Sequence, residues 1–127
     1  MQLDDFHQVL AHFDTQHPRP HFSVAELFLS LENVHQDWPK LWQDEGLLRK
    51  HAEDACVYFM FDHDWTIQYI GQTTCLGRRF GKHFAKDGHG QSCVHLGLIP
   101  VPQNSWFEIL AIEAFLIKEL RPLKNKM

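Results

Sequence analysis

Two short apolar runs separated by three polar residues constrain this chain most. Cys56-Val57-Tyr58-Phe59-Met60-Phe61 and Trp65-Thr66-Ile67-Gln68-Tyr69-Ile70 flank Asp62-His63-Asp64. Aromatic and β-branched side chains crowd both runs, and these favour the pleated, half-buried surface of a strand. The polar triplet reads as a turn, so the segment is expected to form a β-hairpin. Gly71-Gln72-Thr73-Thr74 closes the second strand, and Thr73 or Thr74 can cap a following helix. That helix should run to about Ala85, with Leu76, Phe80 and Phe84 on one face. Asp87-Gly88-His89-Gly90 ends it. Ser105 to Leu110 reads as a third strand, and a last helix runs from about Ala111 to Leu120, stopping before Pro122.

The first 54 residues read as helical. Leu3, Phe6, Leu10 and Phe13 recur at three- and four-residue spacing. Pro18 and Pro20 break the chain. Ser23-Val24-Ala25-Glu26 then has the form of a capping box. The helix it opens should bury Val24, Leu27, Phe28 and Leu31 and fade near Asn33. A third helical stretch, around residues 39–52, is weakened at Gly46. An independent core is marginal in segments shorter than about 70 to 80 residues. Residues 1–54 are therefore expected to be a helical extension packed on 55–127, without folding alone. The expected class is α+β: a small, mostly antiparallel three-stranded sheet flanked by helices, with that extension on one side.

No apolar run reaches the roughly 18 to 20 residues that cross a bilayer. The acidic start, Met1 to Asp5, lacks the features of a secretory signal. Cys56, Cys75 and Cys93 form no CxxC pair and read as reduced thiols. A cytoplasmic location is expected, with no membrane partner. The net charge of −4 argues against a polyanion partner, but its distribution does not. Residues 1–68 hold four basic and twelve acidic residues, net −8; residues 69–127 hold eight basic and four acidic, net +4. A basic half is where a polyanion would sit.

The basic half also holds an ordered set of chemically useful residues. Tyr58 lies in the first strand, and Tyr69-Ile70-Gly71 ends the second. Arg79 follows ten residues after Tyr69, with His83 one helical turn further. Glu113 opens the last helix, and Asn125 follows Arg121-Pro122-Leu123-Lys124. In order and spacing this set resembles the GIY-YIG nuclease domain, over roughly residues 55–127. Tyr-Ile-Gly is intact; Gly-Ile-Tyr is replaced by Cys56-Val57-Tyr58, which keeps the tyrosine.

The resemblance implies a metal-dependent endonuclease that hydrolyses DNA phosphodiester bonds with a single cation, leaving a 5′-phosphate and a 3′-hydroxyl. Tyr58 resembles the general base. A free phenol has a pKa of about 10, so it needs help to act near neutrality. Arg79 would fork onto the scissile phosphate. Glu113 resembles the single protein ligand of Mg²⁺ or Mn²⁺, which suits a cation that keeps most of its waters. Tyr69 would hold water or phosphate. His83, on the same helical face as Arg79, could donate to the phosphate or share the proton work. Asn125 would support the site by hydrogen bonding. Gly71, Arg78, Lys82, His89, Lys118 and Lys124 are candidate nucleic-acid contacts, the cations among them giving affinity without sequence specificity.

Single residues have ordinary alternatives. A lone tyrosine is commonly a sheet aromatic, and a lone arginine a solvated helix cation. His83, His89, Cys93 and His95 could in principle bind zinc, but their spacing matches no finger; His89 or His95 is expected in a loop that contacts substrate. Gly77 and Gly81 each cost roughly 1 kcal/mol inside a helix, so some close approach should offset them. A different class of function is a catalytically silent nucleic-acid-binding or adaptor module. In it the acidic N-terminal helices would mask the site or dock a protein partner or a second copy. Such a module would be expected to lose Glu113 or Tyr58, and both are present.

Overall fold

A computed structural model of the chain describes residues 3–36, 38–43, 45–83, 93–122 and 125, excepting the side chains of residues 81–83. It is an α+β fold with an antiparallel sheet flanked by helices, as expected. The sheet has four strands, one more than expected, in the order β1-β4-β2-β3. These are β1 (Leu29–Leu31), β2 (Cys56–Phe61), β3 (Ile67–Thr73) and β4 (His95–Pro100). Around them lie α1 (Leu3–Gln16), α2 (Val24–Leu27), α3 (Trp38–Leu41), α4 (Leu47–Lys50), α5 (Leu76–His83) and α6 (Ile109–Leu120). No helix among the described residues is long and apolar enough to cross a membrane.

The hairpin forms where expected. Asp62 Oδ1 accepts from the backbone N–H groups of Asp64 and Thr66, both at 2.9 Å, which fixes the turn. Trp65 sits at φ 61°, and the register shifts beyond Met60, so β3 begins at Ile67 and not at Trp65. It then runs through Gly71 to Thr73.

Two segments differ from the sequence reading. Residues 29–31 are a strand. The Ser23-capped helix is only four residues long, with Ser23 Oγ accepting from the Glu26 N–H at 3.2 Å. At Phe28 the backbone turns extended and β1 pairs with β4. Gly97 permits this, because a Cβ there would lie 2.6 Å from Phe28 Cε1. The third strand was expected at Ser105 to Leu110, but a 3-10 helix spans Gln103–Glu108 and α6 follows at once. The strand is instead β4, whose Gly97 and Pro100 disguise it. Pro100 is tolerated because β1 pairs only with residues 96–98, leaving that flank of β4 without a partner strand.

Side chains of β2 are buried on both faces and divide by parity. Val57, Phe59 and Phe61 join Phe6, Leu10 and Phe13 of α1 and Ile109, Ile112 and Leu116 of α6 in one core. Cys56, Tyr58 and Met60 join Leu76 and Phe80 of α5, with Val34 and Leu48, in a second. The N-terminal helices therefore contribute to the packing of both faces. Asp14 near the end of α1 caps α2: its carboxylate accepts from the N–H groups of Val24 and Ala25 at 2.8 and 3.0 Å.

Candidate active site

Strand register brings the two tyrosines together. Tyr58 is paired across the hairpin with Gly71, and Met60 with Tyr69, so both phenols occupy the same face, two positions apart. Their ring centroids are 6.1 Å apart with a tilt of 37°. A Cβ on Gly71 would collide with the Tyr58 hydroxyl and Cζ. The Tyr58 ring thus lies across β3 at the one position that has no side chain. This is a physical reason for Tyr69-Ile70-Gly71: the tyrosine supplies the second phenol and the glycine lets the first cross. Phe80 meets Tyr58 edge-on at 5.4 Å, fixing the ring from the side of α5.

Arg79 is placed by an unusually anchored helix start. The first N–H groups of a helix lack intrahelical partners. In α5 those of Leu76 and Gly77 donate to the carbonyls of Asp54 and Ala52 at 3.2 and 2.8 Å. Thr73 Oγ1 accepts from the Cys75 N–H at 3.1 Å and donates to the Cys75 carbonyl at 3.0 Å. A Cβ on Gly77 would stand 3.2 Å from the Ala52 oxygen, so the close approach that Gly77 serves is to the turn preceding β2. Arg78 and Arg79 line a cleft of about 370 Å³ with Gln72, Thr73, Thr74 and Cys75. Arg78 is exposed and Arg79 partly buried.

Glu113 is half-buried in α6, between the buried Ile112 and Leu116. It is the fifth residue of the helix, which begins earlier than expected. Burial raises its carboxyl above the ordinary range, and the Arg79 guanidinium lowers it. Burial is also the main reason that the Tyr58 phenol is pushed up. The nearby Tyr69 adds to this, both by its charge and through a hydrogen bond between the phenols; Glu113 raises it further, and Arg79 opposes. Tyr69, Arg79 and Glu113 thus all act on the Tyr58 phenol, and Arg79 on Glu113 as well. A half-buried carboxylate that acts on a phenol and is itself acted on by Arg79 fits a hard divalent ion that keeps most of its waters. Among the described residues, the one group of three clustered ligand atoms is Asp62, His63 and Asp64, on the hairpin turn.

Asn125 holds β3 from its outer edge. Its Oδ1 accepts from the Ile70 N–H and its Nδ2 donates to the Ile70 carbonyl, both at 2.8 Å. The side chain mimics a paired strand at the residue between Tyr69 and Gly71. Gly71, expected among the nucleic-acid contacts, is buried beneath the Tyr58 ring, so its placement serves the phenol. Lys118 is exposed in the last turn of α6. Of the two histidines expected as alternatives for a substrate-contacting loop, His95 is placed in the sheet instead. It starts β4, is 7% exposed, and its Nδ1 accepts from the Asn33 N–H at 3.1 Å. It stacks on Trp65 at 4.2 Å and pairs with Phe61, on the face opposite Tyr58. Cys93 donates through Sγ to the His95 carbonyl at 3.0 Å. The side chains of Lys82 and His83, and residues His89 and Lys124, lie outside the described residues. The anchoring carbonyls of Ala52 and Asp54 carry no sequence signal of their own; Gly77 is the only hint of them.

The family model of the GIY-YIG catalytic domain matches residues 54–127. UvrABC system protein C of Pseudomonas syringae pv. tomato (strain ATCC BAA-871 / DC3000) is 38% identical over 74 residues, 54% of this chain. The match covers only 12% of that protein, so the chain spans a small part of its relative. The GIY-YIG N-terminal endonuclease domain of UvrC from Thermotoga maritima, bound to magnesium as its catalytic divalent cation, is similar in structure. Its TM-score is 0.51 at 25% identity, covering 66% of this chain and all (100%) of that one. A point mutant of the same domain, bound to its catalytic divalent cation, gives 0.52 at 25% identity over 67% of this chain.

Proposed function

The chain belongs to the GIY-YIG catalytic-domain family, and from that premise we propose that it is an endonuclease that hydrolyses DNA phosphodiester bonds with one divalent cation, Mg²⁺ or Mn²⁺. The observation that carries this reading is the convergence of the two phenols on one sheet face, ring centroids 6.1 Å apart with Tyr58 lying over Gly71, where Arg79 and Glu113 from two further elements act on the same phenol. Similarity to the magnesium-bound Thermotoga domain supports a divalent cation, and Glu113 is the half-buried carboxylate offered as its ligand. When bound, the cation would supply positive charge that stabilises the phosphate in its transition state.

The protein's own groups do the rest. Arg79 forks onto two phosphate oxygens and neutralises developing charge. Tyr58 is the proton acceptor for the attacking water. Its raised pKa makes a standing phenolate costly at neutral pH. The hydrogen bond to Tyr69 offers a relay: the water proton moves to the Tyr58 oxygen as the Tyr58 proton moves to Tyr69, which releases its own to solvent. Tyr69 is partly exposed, as that exit requires. The water oxygen bonds to phosphorus and the 3′ oxygen leaves, taking a proton from solvent, to give a 5′-phosphate and a 3′-hydroxyl. Asn125 positions Tyr69 through the backbone of Ile70. Arg78, Lys82, His89, Lys118 and Lys124 contact the nucleic acid, with His83 beside the phosphate. Residues 1–54 fold with residues 55–127 as one unit, supported by the packing of Phe6 on Phe59 with ring centroids 4.8 Å apart.

The test is cleavage of single-stranded, duplex and branched DNA with Mg²⁺ or Mn²⁺, using Glu113→Ala and Tyr58→Phe. Each variant is expected to lose at least about 100-fold in kcat while keeping its fold, as for groups acting in the transition state. Equal cutting by the wild type and Glu113→Ala would assign the activity to a contaminant. DNA binding without cutting under any condition would favour a silent binding module.

A further inference from the structure

We propose that a second cleft, beside Trp106, receives an unstacked nucleobase of the substrate next to the scissile phosphate; this rests on the nuclease reading above. The cleft has a volume of about 380 Å³ and is lined by Glu53, Asp54, Thr74, Val101, Gln103 and Trp106. Thr74 also lines the cleft that holds Arg78 and Arg79. The two hollows therefore adjoin, but their chemistry is opposite. Two guanidiniums on one side of Thr74 suit phosphate. Two carboxylates, an amide and an indole on the other side repel phosphate and suit a base.

The groups match a base in kind. An aromatic face stacks any base, and carboxylates accept from exocyclic amines. The Gln103 amide both donates and accepts. His51 Nδ1 meets Asp54 Oδ2 at 2.7 Å and so orients that carboxylate. Trp106 does not belong to the core. It is 53% exposed, with Phe107 at 56% and Leu110 at 59%, and these are the large exposed apolar side chains among the described residues. An exposed apolar patch of this kind marks an interaction surface. The Trp106 and Phe107 rings lie at 87°, 6.2 Å apart, so they do not stack on each other. Leu110 is three residues before Glu113 on α6, one helical turn from the ligand carboxylate. Leu110 and the Glu113 carboxylate thus share α6, and Trp106 and Phe107 lie on the 3-10 helix directly before it. A base enters only by leaving its stack, which costs least where it is unpaired, so single-stranded DNA or a duplex with an unpaired nucleotide at the cut is preferred over a perfect duplex.

The experiment uses the full chain and oligonucleotides of one sequence. These are single-stranded, perfectly paired, or single-stranded with one abasic residue at each position flanking the cut. Cleavage is measured with Mg²⁺ and binding by anisotropy in EDTA. Trp106→Ala is expected to raise KM for the single strand about 10-fold, within the range for a lost base–aromatic stack, with Trp106→Phe in between. One abasic position should impose the same penalty on the wild type and none on Trp106→Ala. Thermal melting should be unchanged, since the side chain is half exposed. An unchanged KM for Trp106→Ala overturns the proposal, as does an abasic penalty that persists in the variant or a defect in self-association alone. Cutting without Trp106 dependence removes this inference and leaves the nuclease reading. Trp106-dependent binding without cutting does the reverse.

Discussion

The two faces of the sheet are built from the same strand and do different work. On one, Val57, Phe59 and Phe61 meet α1 and α6. Phe6 alone lies within 4.8 to 5.3 Å of the rings of Phe28, Phe59 and Phe61. A buried polar side chain on this face, His95, lies at its edge beside Phe61 and stacks on Trp65. On the other, alternate residues of β2 bring in Cys56, Tyr58 and Met60, and the phenol of Tyr58 lies across a glycine toward Tyr69. The first face is expected to supply stability. The second holds polar groups whose ionisation burial opposes. A strand with period two makes this division possible, because neighbouring residues never share a face.

The largest effect expected from breaking this division is on the aromatic face. Phe59→Ala should destabilise the fold by about 3–5 kcal/mol in chemical denaturation, as for a buried phenylalanine. If the loss stayed below about 1 kcal/mol, the two faces would not differ as described. On the site face, Gly71→Ala should cost about 1–3 kcal/mol by overpacking against Tyr58. Because displacing a reacting group by an ångström costs about 100-fold in rate, cleavage should fall by a similar factor. A variant that cuts at the wild-type rate would show that Tyr58 needs no such seat. Asn125→Ala should lose about 1 kcal/mol, since two backbone groups of Ile70 would turn to solvent for partners. Its effect on kcat should exceed that on KM; a pure KM effect would make Asn125 a binding residue.

The smallest expected effect has the opposite sign. Glu113 has a raised pKa in the folded protein, so the native state holds more protons than the unfolded one between the two pKa values. Its stabilising share is complete below the ordinary carboxyl range and is lost as pH rises through the folded value. At pH 7 to 8 the ionised carboxylate is therefore a burden, which solvent exposure limits to roughly 0.5 kcal/mol. Glu113→Gln should raise the melting temperature by about 2 °C at that pH and abolish cleavage. The gain should vanish at pH 4. A destabilised Glu113→Gln at pH 8 would instead mean that the carboxylate has a structural partner.

Much of this was legible in the chain before any coordinates. The hairpin of residues 56–70, the amphipathic α1, the Ser23 cap and the ordered tyrosines, arginine and glutamate all rest on local chemistry or short spacing. Residues 29–31 and 95–100 were not legible. Leu29-Ser30-Leu31 becomes a strand only because β4 offers an edge, and β4 is a strand despite a glycine that exists to seat Phe28. Trp106 and Phe107 read as strand aromatics, yet lie on a helical turn facing outward.

Local pattern along the chain accounts for the set of reactive groups and for Tyr58 and Tyr69 lying on neighbouring strands, because periodicity and turn preferences act within a few residues. Packing in three dimensions is what lays the Tyr58 ring across Gly71, sets the Ala52 and Asp54 carbonyls at the start of α5, and brings Glu113 under the influence of Arg79. Those facts depend on contacts between distant segments, whose geometry follows from how whole surfaces fill space and not from any local pattern.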